Sequence, residues 1–167
     1  MTRVLRGRPE QLLVHAPQKT DCGKDELNRF LRRFAFANQQ ANSAQTSVAC
    51  RGQAVVGYYS LTVGTVAHAE ATERVKKGMP RYPIPVMILA RLAVDKDEHG
   101  RGLGRGLLKD ALLRTAQAAV IAGIRALLVH AKDDEAKAFY EHFDFEPSPT
   151  DPYHLLLLIK DVQRLVK

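Results

Sequence analysis

The stretch RLAVDKDEHGRGLGRGLL, residues 91–108, decides the fold. Four glycines fall in the seven positions from Gly100 to Gly106. They lie between an apolar run that reads as a strand and a run that reads as a helix. A glycine inside regular structure costs about 0.5–1 kcal/mol relative to alanine, so a cluster at this junction points to chemistry rather than to a plain turn. A helix start has amide N–H groups without an internal partner and carries the positive end of the helix dipole. Where side chains are absent, an anion can approach those amides closely, which makes a phosphate or pyrophosphate site. Arg101 and Arg105 add positive charge at the rim.

Two familiar phosphate loops do not fit. The Walker pattern needs a Lys and a Ser or Thr after its last glycine, and none follows here. The dinucleotide fingerprint G-x-G-x-x-G fails because its third glycine would fall at Arg105 or at Leu107. What remains is HGRGLG, residues 99–104, directly after the strand-like RLAVD.

Outward from this junction, VMILARLAV, residues 86–94, is almost continuously apolar and predicts a strand buried on both faces. Residues 103–122 predict a helix, with Leu107, Leu108, Ala111 and Leu112 on its buried side and Gly123 as C-cap. RALLVHA, residues 125–131, predicts the next buried strand. DDEAKAFYEHF, residues 133–143, predicts a short helix with acidic residues at its start. YHLLLLIK, residues 153–160, predicts a closing strand and then a short tail. On the N-terminal side, Leu27, Phe30, Leu31 and Phe34 mark one apolar face of a helix from Asp25 to about Ala41. Residues 46–50 and 54–66 predict two strands joined by a turn at Arg51–Gly52. Pro80, Pro83 and Pro85 interrupt the polar segment between. The order predicts an α/β (α+β mixed) domain, residues 1–167, with a parallel crossover at the centre of a mixed sheet.

Composition bounds the function. The chain has 167 residues, enough for one domain with a sizeable core. Its 25 Lys and Arg exceed its 18 Asp and Glu, for a net charge of +7, which favours a polyanionic partner. No apolar run is long enough to span a bilayer. MTRVLRGRPEQLL lacks the apolar region of a secretory signal, so a cytoplasmic location is expected, with no membrane partner. Cys22 and Cys50 have no metal-ligand spacing, and the six histidines supply no ligand pair, so no metal is expected. His130, in an apolar strand, is expected to be a core histidine, Cys50 a buried and inert thiol, and Asp95, Asp97 and Glu98 a solvated loop.

The HGRGLG stretch resembles the acetyl-CoA signature of the GNAT N-acetyltransferase superfamily: Arg or Gln, two residues, Gly, one residue, then Gly or Ala. Gly102 and Gly104 match, and His99 stands where the family usually has Gln or Arg. KDDEAKAFYEHFDF, residues 132–145, resembles the family's second cofactor motif. The resemblance implies a GNAT fold with splayed central parallel strands and flanking helices. It implies that acetyl-CoA is held at His99, Gly100, Arg101, Gly102, Leu103, Gly104 and Arg105. The pantetheine arm would pair with Leu92, Ala93 and Val94, an amide near Val94 would face the oxyanion, and Tyr140 would protonate the departing thiolate. The spacing of Phe139 and Phe143 as core residues predicts that Tyr140 points away from the core.

With CGKDELNRFLRRFAFANQQ and VVGYYSLTVGTV added, the chain resembles the GNAT toxins of bacterial type II toxin–antitoxin modules along nearly its whole length. This implies acetylation of the α-amino group of aminoacyl-tRNA, arrest of translation, a ribbon-helix-helix antitoxin, a homodimer, and DNA contact only through the antitoxin complex. The charge agrees, since tRNA is a polyanion. An α-amine titrates at ~7.7–8, so a fair fraction is already neutral at physiological pH and water can take the proton. Candidate tRNA contacts are Arg29, Arg32 and Arg33 on the first helix, Arg74, Lys76, Lys77 and Arg81 in the proline-bounded segment, and Arg91 before the cofactor strand. The alternatives are a GNAT enzyme acting on a small amine or a protein N-terminus, a silent acyl-CoA-binding module, and a DNA-binding regulator. A small cationic amine needs an acidic pocket that this chain does not advertise, and no helix-turn-helix pattern supports a regulator.

Overall fold

Strands form where β-branched and aromatic residues cluster, and turns where glycine breaks them. In the computed structural model, which describes residues 2–5 and 19–167, this gives β1 (Thr2–Leu5), β2 (Gln45–Arg51), β3 (Ala54–Val66), β4 (Ile84–Val94), β5 (Ala126–His130), β6 (Glu146–Pro147) and β7 (His154–Leu158). Most of MTRVLRGRPEQLL lies outside the described residues. The helices are α1 (Asp25–Arg29), a π-helical turn (Phe30–Phe34), α2 (Ala35–Gln40), α3 (Glu73–Lys76), α4 (Leu103–Ile121), α5 (Asp134–His142) and α6 (Ile159–Leu165), with 3-10 turns at His68–Glu70 and Lys96–Glu98. Among the described residues the strands follow the order β1-β2-β3-β4-β5-β7-β6. The sheet is mixed: β4 pairs parallel with β5, while β1 with β2, β2 with β3, β5 with β7, and β6 with β7 are antiparallel. The expected fold class is the one observed.

The chain divides into two compact units. The first comprises residues 1–62 and 90–111. Its core gathers Phe30, Leu31 and Ala35 from the first helical segment with Val48, Val55 and Tyr58 of the sheet. A bulge opposite Ala49 and Cys50 shifts the β2–β3 register, and the carbonyl of the neighbouring Val56 accepts the Asp95 amide at 2.8 Å. Gly57 lets α4 settle on the sheet. A Cβ there would stand 3.0 Å from the Ala93 carbonyl oxygen and 3.0 Å from Leu107 Cδ1.

The second unit comprises residues 63–89 and 112–167. Val86, Ala126, Leu128 and Leu156 pack with Val75 and Ile84 in its core. Ion pairs and caps fix the rest. Arg74 grips Asp161 at 2.5 Å and lies 3.6 Å from Glu146. Arg125 donates to the carbonyls of Val75 and Lys77 at the end of α3.

Several expectations are corrected. β4 begins at Ile84, two residues before the apolar run; Pro85 sits near the strand's start, where a missing N–H is tolerated. α4 ends at Ile121, and Gly123 has no left-handed conformation, so it is not the expected cap. The expected tail after the last strand is instead α6, which buries Asp161 and Val162. The first helix is not uniformly α: the Ala35 amide reaches back to the Phe30 carbonyl, an i to i−5 bond. Phe34, expected on the buried face, is 44% exposed, and Ala35 takes the buried place.

Candidate functional site

β4 brings the expected cofactor residues into position. Its registered pairs with β5 run from Val86↔Ala126 to Leu89↔Val129 and end there. The strand itself continues as Ala90–Val94, so Leu92, Ala93 and Val94 extend beyond the parallel ladder. Backbone that runs on past its ladder is backbone an extended ligand can pair with.

The chain then turns through the 3-10 segment into the glycines. Gly100 and Gly102 both have φ of +78°, a conformation other residues adopt only with strain. A Cβ at either would meet nothing within 4 Å, so backbone conformation sets the requirement for glycine. The first bond that the helix makes back to this turn runs from the Gly106 amide to the Gly102 carbonyl, at 3.1 Å. The amides of Leu103 and Gly104 therefore precede the internal ladder, at the positive end of a 19-residue helix. This arrangement suits a diphosphate.

The turn is held by side chains to which the sequence reading gave other roles or none. Glu98, expected in a solvated loop, is buried; it accepts two hydrogen bonds from Arg51, at 3.1 and 2.7 Å. Arg101, expected as a rim charge, lies 3.6 Å from the same carboxylate. The Asp95 carboxylate accepts from the amides of Asp97 and Asp21. Lys96 pairs with Asp21 at 3.0 Å. The side-chain amide of Asn28, helped by the Gly23 amide and Lys96, holds the Asp21 carboxyl well below the usual carboxylate range. The only sequence sign of the Glu98 clamp is a basic residue three positions on, at Arg101. His99 is exposed, and its Nε2 lies 3.0 Å from the Val94 carbonyl. A carbonyl only accepts, so this nitrogen carries a proton, and the ring ties the turn to the strand end.

Arg91, also in the first unit, places its guanidinium 3.9 Å from the centre of the Phe30 ring, a cation–π contact. Phe30 in turn stacks on Tyr58, with ring centres 6.1 Å apart. Arg32 donates to the Thr20 carbonyl at 2.8 Å, and Arg33 is exposed.

Tyr140, Lys76 and Lys77 belong to the second unit. Asp133 caps α5 by accepting from the Ala136 amide, which sets the rotation of the helix. Contrary to expectation, Tyr140 is the buried member of its aromatic group, and Phe139 and Phe143 are half-buried. Its ring meets Phe139 and Phe145 edge to face. Burial alone pushes its phenol well above the ordinary tyrosine value, so the group is protonated at neutral pH. His130 is not a core residue: it is exposed and stacks on His154, ring centres 3.9 Å apart. Lys76 pairs with exposed Glu73 at 2.9 Å, Lys77 is exposed, and Arg74 is engaged by Asp161. Cys50 is buried and, like Cys22, a free thiol, as expected. Among the described residues no cluster of His, Cys, Asp or Glu could hold a metal, and no helix is long and apolar enough to cross a membrane.

Residues 42–147 match the acetyltransferase (GNAT) domain family. The tRNA-acetylating toxin of Mycobacterium tuberculosis (strain ATCC 25618 / H37Rv) is 54% identical over 144 residues, 86% of each chain. The solved structure of AtaT complexed with acetyl-methionyl-tRNAfMet is 26% identical, covers 100% of this chain and 99% of its own, and superposes with a TM-score of 0.87. AtaTR bound with AcCoA is also 26% identical, covers 100% of this chain and 98% of its own, and has a TM-score of 0.79. The glycine turn thus lies within a known fold, and the chain belongs to the GNAT acetyltransferase family.

Proposed function

We propose that this chain is a toxin that transfers acetyl from acetyl-CoA to the α-amino group of an aminoacyl-tRNA and so stops translation. The observation that carries the reading is the pair of features at one corner: a strand that outruns its ladder, leading into amides at a helix start. The relative that acetylates tRNA and the neighbour holding acetyl-methionyl-tRNA support the acceptor. Bound acetyl-CoA supplies an acetyl group activated as a thioester. The amides of Leu103 and Gly104, with Gly100, Gly102 and Arg105 around them, hold the diphosphate. The backbone of Leu92, Ala93 and Val94 orients the arm, and an amide near Val94 steadies charge on the carbonyl oxygen. Tyr140, neutral because it is buried, gives its proton to the thiolate. The α-amine loses its proton to water.

Arg32, Arg33, Lys76, Lys77 and Arg91 supply positive charge toward the RNA. The chain acts as one catalytic domain in the cytoplasm, as a homodimer neutralised by a ribbon-helix-helix antitoxin, and meets DNA only through that complex. Incubation with labelled acetyl-CoA and total charged tRNA tests the activity. Label recovered as an N-acetyl amino acid on the RNA supports the reading. Label on a small amine or a protein N-terminus, with none on charged tRNA, overturns it.

A further inference from the structure

The π-helical turn carries more than a defect in a helix. In an α-helix each residue advances about 100°, so Phe30, Leu31 and Phe34 would share one buried face. The i to i−5 bond between Ala35 and Phe30 inserts an extra position and rotates the residues after it. Phe30 and Leu31 remain buried, Ala35 becomes fully buried, and Phe34 is turned out to the surface. A wide turn of this kind is rare and recurs at functional sites.

The expelled ring stands among cations. The Arg29 guanidinium lies 5.8 Å from its centre, and Arg33, its neighbour in the turn, is exposed. Among the described residues neither arginine has a carboxylate partner. Phe30 of the same turn, which faces inward, already carries Arg91 of β4 on its ring. An exposed aromatic ring with unneutralised arginines is the combination that receives single-stranded nucleic acid: the ring stacks on a base and the cations take the phosphates.

We propose that Phe34 is the stacking platform for an unpaired base at the 3′ end of the charged tRNA, with Arg29 and Arg33 on the adjacent phosphates. This rests on the aminoacyl-tRNA reading above and names the residue that positions that substrate. A stacked base must be unpaired, and the aminoacylated end is the unpaired end of the molecule. Phe34 holds the substrate and takes no part in the chemical step.

The test is steady-state acetylation of charged tRNA by the wild type and by Phe34→Ala, Phe34→Leu and Phe34→Tyr. It is joined by fluorescence titration with tRNA carrying 2-aminopurine as its terminal base. Phe34→Ala and Phe34→Leu are expected to raise KM about tenfold, with kcat and acetyl-CoA affinity retained and the binding-induced quenching lost. Phe34→Tyr is expected to stay near the wild type. An unchanged KM in Phe34→Ala, a Phe34→Leu protein that behaves as wild type, or a defect confined to antitoxin binding overturns the proposal. A wild type that modifies no charged tRNA overturns the acceptor assignment, and this proposal falls with it. Phe34 is exposed, so the variants keep the core that folds the protein.

Discussion

Tyr140 keeps its proton because its ring is packed between Phe139 and Phe145, away from water. Phe139 and Phe143 have core spacing and are only half-buried, whereas Tyr140 is buried, so the family resemblance named the residue and helical periodicity misjudged its side. Tyr140→Phe preserves that packing and removes the acidic proton. It is expected to lower kcat about 100-fold or more and to leave acetyl-CoA affinity unchanged by calorimetry. Because the folded phenol lies above the ordinary value of 10.0, its ionisation gives kcat no falling limb below that pH. Cys22 offers a second test. Burial, ahead of the nearby Asp95 and Asp21 charges, pushes its thiol up from 9.0 to about 12. The unfolded chain therefore loses this proton first as pH rises. Stability is full below pH 9, declines above it, and the contribution is gone beyond about 12. Urea midpoints measured across that window should fall, and Cys22→Ala should flatten the fall.

At the scale of elements, the glycine turn and its helix divide four similar residues into different roles. Gly102 needs its left-handed backbone, so Gly102→Val is expected to strain the turn by about 1–2 kcal/mol and to abolish measurable acetyl-CoA binding. Gly106 is helical with open space around it. Gly106→Ala is expected to stabilise the protein by about 0.5–1 kcal/mol in urea unfolding. The junction was legible because apolar run, glycines and apolar helix follow one another in the chain. The π turn was not legible. Periodicity assumes one residue every 100°, and the face of Phe34 changes only because the Ala35–Phe30 bond breaks that rule. α6 was hidden for another reason: its buried Asp161 reads as a surface residue until Arg74, 87 positions away, is seen to neutralise it.

For the molecule as a whole, net charge says that a polyanion is attracted and does not say which cations meet it. The structure sorts them. Arg74 belongs to the fold: it neutralises Asp161, whose carboxyl the Arg74 hydrogen bond holds below the usual range despite burial. Arg74→Gln is expected to cost about 1–3 kcal/mol in chemical denaturation and to leave the KM for charged tRNA in place. Lys77 is exposed, and Lys77→Glu is expected to do the reverse. The central strands, the glycine turn and the net positive charge could be read from the chain because each is a local pattern. The Glu98 clamp and the Arg74 tie could not, because each joins residues that only folding brings together.

The clamp of Arg51 on Glu98 fixes the glycine turn, and the cradle proposed there would hold the nucleotide end of the donor rather than its acetyl group. Spent coenzyme A presents the same handle. It should therefore compete with the loaded form at nearly equal strength, with an inhibition constant close to the dissociation constant of acetyl-CoA. In a cell, toxicity would then track the balance between charged and exhausted donor, making the enzyme a gauge of carbon supply as well as a brake on growth.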